Sequence, residues 1–451
     1  MSLAAHQISR RRLLAAGAAS VAAPALAQAQ GAPPLDAIIV GAGAAGIAAA
    51  RRLVAAGRRC VIVEAGPRVG GRCFTDVETF GVPCDLGGRL LYAPEVNRVA
   101  HYAREAGIEV SPLRAGQRLR IGGRFAREGE MEAFFAALVR ARQGIVDAAD
   151  NEEDSAAGRA LPRNLGDWRP TIEFALGPYR CGKTLDALSV RDFNRSADRD
   201  LAGISRAGCG ALLQRLAADL PVQLSTPARR VAVWRNAAYV DIPGRMLHAR
   251  AAIVTLSTNV LASGTVRFDP VLPKAYAEAF TRLSLGVHER VVLEMPGNPL
   301  GLAADDLVFE QAKGPRTAAL FAQTGATSLY TVELAGPLGS ELVKAGDKAM
   351  TAFAIDWLAN VFGADAKKAV RRTHATRWSL DPLIRGAASA APPGAQGDRE
   401  TLTRPVRDRV FFAGEATHDV LWGTIGGAWE SGERAANGVL RLLGVPVRQG
   451  R

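Results

Sequence analysis

The chain has 451 residues, 48% of them hydrophobic and 22% charged, with a mean hydropathy of +0.04. That balance supports two or three buried cores and excludes a mostly disordered or fibrous chain. The formal charge is +12, from 56 Lys+Arg against 44 Asp+Glu, and only seven of the basic residues are lysine. The arginine excess reads as a compositional bias that gives a basic surface. No basic run interleaves with aromatics as a nucleic-acid groove requires, so no nucleic-acid partner is expected.

The N-terminus carries Ser9-Arg10-Arg11-Arg12-Leu13-Leu14 and then an alanine-rich stretch to Ala27. Three arginines without an acid, a mildly apolar segment and small-x-small sites at Ala25-Leu26-Ala27 and Ala27-Gln28-Ala29 are ordered as in a secretory signal. The consecutive arginines resemble a twin-arginine export signal over residues 1–30, a route that carries folded, cofactor-loaded proteins. A periplasmic protein is therefore expected, and loss of the segment's three arginines leaves +9 of the +12. Beyond it no run reaches the roughly 18 uncharged apolar residues of a membrane helix, so no integral membrane segment is expected after signal removal. The five cysteines lack CxxC spacing and name no disulfide, and the six histidines show no ligand spacing. No metal is expected.

Asp36 to Val40 is a short β-branched run that predicts a buried parallel strand. It runs into Gly41-Ala42-Gly43-Ala44-Ala45-Gly46, a helical stretch from Ile47 to Ala56, and a second strand from Cys60 that ends on Glu64. In such a loop Gly41 makes the tight turn, Gly43 lets the backbone approach a pyrophosphate, and Gly46 lets the helix pack on the strand. The phosphates sit at the helix N-terminus, beside Ala45, where free N–H groups and the macrodipole favour negative charge. Glu64, 18 residues after Gly46, is placed to accept hydrogen bonds from a ribose. Strand, loop, helix, strand and acid in this order predict an α/β fold with a Rossmann-type dinucleotide domain.

The segment after Glu64 narrows the ligand. Gly66-Pro67-Arg68-Val69-Gly70-Gly71-Arg72 resembles the second fingerprint of the flavin amine oxidase family, the monoamine, polyamine and L-amino-acid oxidases. Further stretches resemble the same family along nearly the whole chain. They are Asp85-Leu86-Gly87-Gly88-Arg89, Arg229-Arg230-Val231, Val410 to Thr417 around Glu415, and Gly423-Thr424-Ile425-Gly426-Gly427-Ala428. The resemblance implies FAD. It sets Arg72 at the phosphates or ribityl chain, Gly87, Gly88 and Arg89 beside the flavin ring, and the Val231 backbone at the adenine. It also sets Glu415 on the FAD chain and the helix opened by Thr424, Ile425, Gly427 and Ala428 against the electron-rich end of the ring, where a dipole stabilises reduced flavin. Trp378 and Trp422 are candidates for walls around the ring.

The family assembles its FAD domain from separated segments, here 35–95, 205–270 and 395–445. An interleaved α+β substrate domain is expected over 96–204 and 271–394. Residues 151–170 read as an exposed loop or lid.

The implied chemistry is hydride transfer from a carbon bonded to nitrogen, with the imine then hydrolysed in water. The sequence departs from the family at the positions that carry it. Arg290 stands where a lysine serves the dioxygen half-reaction, and an arginine keeps its charge where a lysine can lose it. Dioxygen is therefore not the expected acceptor; a periplasmic cytochrome or quinone is. Ala388 and Thr424 replace the aromatic pair that flanks the amine. Ala387 replaces the cysteine that tethers flavin, so FAD is expected to be held non-covalently. Two other readings keep the cofactor: a desaturase of an apolar substrate, and a flavin-binding partner protein with a degenerate site.

Overall fold

The computed structural model describes residues 34–113, 116–196, 199 and 201–447; the export signal expected over 1–30 lies outside them. The run after Pro34 forms β1 (Leu35–Val40), which passes through the glycine turn into helix α1 (Ala44–Ala55) and then β2 (Cys60–Val63). β2 pairs parallel with β1, Val63 opposite Val40. β3 (Val222–Gln223) adds to the far edge of β2, also parallel. Further along, β4 (Arg230–Trp234), the strand Ala237–Ile242 and β5 (Arg245–Val254) form an antiparallel meander, and β5 returns parallel beside β1. Arg267–Asp269 and Val410–Phe412 complete an eight-stranded sheet. Its central strands are covered on both faces, which is why they read as unbroken apolar runs: Ile38, Ile39, Ile62 and Ile253 have no exposed surface.

The alanines of α1 let helix α2 (Ile425–Leu442) lie directly against it. A Cβ on Gly432 of α2 would overlap the Ala45 carbonyl oxygen, and a Cβ on Gly46 would overlap that of Gly41. Both glycines are required by close approach rather than by conformation.

A second sheet of seven strands is mostly antiparallel. Its second and third strands are β6 (His288–Glu294) and β7 (Leu329–Ala335), with Arg290 opposite Glu333. Alternation assigns the faces. Val291, Leu293, Val332 and Leu334 pack with Met350 and Trp357 of the helix Asp347–Phe362. His288, Arg290 and Glu333 therefore share the opposite face, where Ala335 packs with residues of the long helix Glu128–Ala149. All seven residues of β7 are buried, Glu333 included. The first sheet draws on residues 35–63, 222–269 and 410–412, the second on 117–125, 288–335 and 372–375.

The stretch 151–170 differs from the exposed lid expected. Asn151 to Glu153, Arg159, Arg163, Asn164, Gly166 and Asp167 are exposed, but Ala157, Leu161 and Leu165 are buried against the helix Glu128–Ala149. Asp154 fastens it by accepting from the Ser189 hydroxyl at 2.8 Å and the Gly394 N–H at 2.6 Å. Its apolar residues decide the outcome over the charge of Asn151 to Asp154. No described helix is long and apolar enough to cross a membrane. All five cysteines are buried and free, and burial pushes the Cys73 and Cys84 thiols up to about 12.

The helix contact yields a stability test. Gly432→Ala is expected to destabilise the protein by about 1–3 kcal/mol through overpacking, lowering Tm. Gly129→Ala, which meets open space in the helix Glu128–Ala149, should leave Tm unchanged or raise it. Equal responses would refute the packing account.

Candidate active site

Two glycine loops meet at the C-terminal end of β1 and β2. Gly41 turns with φ +105°, and the Thr255 hydroxyl beneath it donates to the carbonyls of Val40 and Gly41 at 2.9 and 3.1 Å. The second loop lies against the first: Gly70 N–H donates to Ala42 O at 2.8 Å, and a Cβ on Gly43 would lie 4.0 Å from the Gly71 Cα. Glu64 joins them. One carboxylate oxygen accepts from Ala42 N–H and the other from Gly66 N–H, both at 2.7 Å. Arg68 shapes the second loop, donating to Gly71 O at 2.9 Å and lying over the Phe74 ring at 4.4 Å.

The residues fit a dinucleotide. Gly43 caps α1 with no side-chain hydrogen bond, and the first turn holds no acid, so its N–H groups are left for an anion. Ala45 sits in that turn, buried against Gly432.

A second cluster stands at the end of Val410–Phe412. Glu415 is buried and accepts from Arg72 Nη1 at 2.8 Å, the Ser389 hydroxyl at 2.7 Å and Gly423 N–H at 2.7 Å. Burial alone would raise its pKa; the Arg72 charge leads the groups that outweigh it and hold it below the usual carboxylate range. Arg72 also donates to Ala387 O. Thr424 caps α2, its hydroxyl accepting from Gly427 N–H at 2.9 Å, and Ala428 N–H returns to Thr424 O. Ile425 lies beside Gly88, where a Cβ would meet its side chain at 3.4 Å. A Cβ on Gly87 would overlap Arg72 O and lie 3.1 Å from the Trp378 ring, and the Trp378 indole N–H donates to Leu86 O at 2.8 Å. Trp378 thus braces the loop 85–89.

Arg290 reaches the same loop from the second sheet, donating to the Asp85 and Gly87 carbonyls. Its Nε donates to Glu333 at 3.1 Å. Glu333 also accepts from Arg89 Nη2 at 2.6 Å and lies 2.7 Å from His288 Nε2. Arg89 turns from the glycine loops to this carboxylate, its guanidinium 3.9 Å from the centre of the Phe321 ring. Burial would raise the Glu333 carboxyl, but Arg290, Arg89 and His288 together hold it well below its usual 4.5.

Two expectations are corrected. Val231 is buried in β4, its strand paired on both edges, with Val240 and Phe268 opposite it. Three strands separate β4 from β2 in the sheet, roughly 19 Å at the usual strand spacing. Val231 cannot meet a nucleotide held by Glu64. The neighbouring backbone is 222–226 instead: Ser225 and Thr226 donate to the Gly66 and Glu64 carbonyls at 2.9 and 2.7 Å. Trp422 is fully buried, its indole N–H 3.2 Å from Asp192 O, with Arg199 and Arg399 at 5.0 and 4.9 Å from its ring centre. It is core, not a wall.

Sequence reasoning did not single out Glu333, His288, Tyr179, Arg180 or Arg199. One signal was available for Glu333, an acid inside the otherwise uncharged run Leu329-Tyr330-Thr331-Val332 to Ala335. Glu333→Gln leaves Arg89 buried without its counter-charge and is expected to cost about 3–5 kcal/mol, read as a lower Tm. Because the folded pKa is depressed, the carboxylate's contribution is complete above its usual value and lost only as pH falls through the lower folded one. The Tm gap between wild type and variant should therefore be as wide at about pH 5 as at about pH 7. A gap that closes by pH 5 would contradict the assignment.

Comparison with known proteins follows the same outline. Residues 44–440 match the family model described as flavin containing amine oxidoreductase. Lysine-specific histone demethylase 1 homolog 1 of Oryza sativa subsp. japonica is 28% identical over 450 residues, covering 91% of this chain and 52% of that protein. Lysine-specific histone demethylase 2 of Homo sapiens is 26% identical over 435 residues, covering 89% and 53%. The chain spans about half the length of these curated relatives. Among solved structures, cyclohexylamine oxidase from Brevibacterium oxydans superposes with a TM-score of 0.77 at 20% identity, over 91% of this chain and 100% of the other. Putrescine oxidase bound to putrescine gives 0.77 at 19%, over 91% and 99%; at these identities the likeness is one of fold. With the family model spanning most of its length, the chain belongs to the flavin-containing amine oxidoreductases.

Proposed function

We propose that the chain binds FAD without a covalent bond and oxidises the C–N bond of an amine or amino acid. The observation that carries this reading is Glu64 holding both glycine loops together at the uncapped N-terminus of α1, in a chain whose family is flavin-containing. When bound, the flavin supplies the hydride acceptor, and the imine formed from the substrate hydrolyses in water. The protein's part is positioning. The α1 N–H groups take the pyrophosphate, Glu64 the ribose, and Arg72 with Glu415 the chain that joins them to the ring. Arg290, clamped between Glu333 and the Gly87 carbonyl, fixes the loop beside the ring and puts a permanent positive charge there. Ala387 offers no thiol, which supports a non-covalent cofactor. The purified protein is expected to release intact FAD on acid precipitation, checked by mass; flavin retained on the denatured chain would refute it.

Residues 9–29 support export by the twin-arginine route to the periplasm. A periplasmic cytochrome or quinone is the proposed acceptor, supported by Arg290 in the lysine position and by the net positive charge. After anaerobic reduction, reoxidation by cytochrome c or a quinone should outpace reoxidation by air. Fast reoxidation by air would reject the proposed acceptor and leave the proposed cofactor standing.

A further inference from the structure

Four arginines lie around two tyrosines on the substrate side. Arg89 and Arg290 share Glu333. Arg180 Nη2 donates to the Ser196 hydroxyl at 2.6 Å, and Arg199 donates to the Arg180 and Trp422 carbonyls at 3.3 and 2.6 Å. Tyr92 links three of them: its ring centre is 5.6 Å from the Arg199 guanidinium, and its hydroxyl lies in the electrostatic field of both Arg89 and Arg180. Tyr179 stands between this group and His288, the two ring centres 5.8 Å apart. Arg199 also closes on the positions where the resemblance expects aromatics. A Cβ on Gly423 would lie 3.4 Å from Arg199 Nη2 and 3.1 Å from the Ala388 Cβ, and Thr424 is the next residue.

The charges do not balance. Among the described residues, Glu333 is the carboxylate bonded within this group, against four guanidinium ions; Asp305 feels Arg89 without a bond to it. Donors are left over as well. Arg89, 3% exposed, has Nε and Nη1 without a partner, and Arg180 has its Nε without one. A buried donor left unpaired is costly, and more so when it is charged. Burial, with the like charge of Arg199 next, pulls Arg180 down to about 10. A simple ammonium entering here would meet an excess of like charge, with Glu333 already bonded to two of the arginines.

We infer that the substrate is an amine that also bears a carboxylate, an amino acid rather than a simple amine, and that Arg89 and Arg180 receive this carboxylate. This rests on the proposed amine oxidation and narrows its substrate class. Guanidinium N–H groups suit a carboxylate, and the unpaired N–H groups of Arg89 and Arg180 suit one anion approached from two sides. The missing aromatic pair then has a reason: the amine is oriented through its acid group rather than by rings at Ala388 and Thr424.

The test uses the flavin-loaded protein under anaerobic conditions and pairs of compounds that differ only in the carboxylate: ornithine and putrescine, lysine and cadaverine, phenylalanine and phenethylamine, leucine and isopentylamine. Flavin bleaching is followed by stopped flow. In the pair the protein accepts, the amino acid should reduce the flavin at least about 30-fold more efficiently than its amine. Benzoate, which cannot be oxidised, should perturb the flavin spectrum, and Arg180→Met should weaken its binding by a similar factor while leaving the Tm and the bound flavin unchanged. The Arg180 variant is the main probe because, among the described residues, its side chain holds no ion pair. Arg89→Lys, which keeps the charge on Glu333 and loses the fork, should show the same loss. Amines that bleach as well as their amino acids would overturn the inference and leave amine oxidation intact. If no compound bleaches the flavin, amine oxidation falls, and benzoate alone decides. Binding lost in Arg180→Met upholds the carboxylate site; no binding, or binding unchanged in the variant, overturns it.

Discussion

The architecture depends on how closely two backbone loops can approach. Gly43 and Gly71 come within van der Waals contact, and the Glu64 carboxylate uses both oxygens to hold the N–H groups of Ala42 and Gly66. One acid therefore sets the floor of a nucleotide cleft and aligns the first turn of α1 above it. The same tolerance for close approach recurs where Gly46 meets Gly41, Gly87 meets Arg72, and Gly432 meets Ala45. Each contact lets one more segment reach the cleft. Together they bring residues separated by hundreds of positions into one binding surface.

Charge is distributed differently on the two sides of that surface. On the nucleotide side two buried ion pairs stand out. Glu415 has Arg72, and Arg399 has Asp192 through two bonds of 2.8 and 2.9 Å, with further donors going to the Ser389 hydroxyl and the Ala416 carbonyl. Such pairing fixes geometry more than it adds stability. On the substrate side Glu333 answers Arg89 and Arg290 together, and among the described residues Arg180 and Arg199 bond only neutral groups. The first pattern describes a finished scaffold. The second describes a place where an anion belongs.

The glycine spacing of residues 41–46, the following helix and the acid at Glu64 were legible because the chemistry there is local: a turn, a helix end and a strand end are all written within 29 residues. The two tryptophans show where local reading stops. Trp378 and Trp422 look alike in sequence, yet one braces the loop 85–89 through Leu86 O and the other is sealed in the core by Asp192, Arg199 and Arg399. Val231 fails for a similar reason. Its β-branched strand is recognisable, but its place in the sheet is set by pairing with strands downstream of it, which puts it far from β2.

By itself the sequence determined the nucleotide fold and, through its resemblance to the flavin family, the expectation that the usual lysine, aromatic pair and tethering cysteine are missing, because each is a matter of residue type at a fixed spacing. Only the tertiary structure decided what stands in their place. Arg89, Arg180, Arg199 and Arg290 come from four separate segments, and Glu333 from a fifth. No spacing rule joins them, since their meeting depends on which face of a second sheet turns inward. The pleat of β7 settled that by turning Val332 and Leu334 to the helix behind it and Glu333 to the arginines in front.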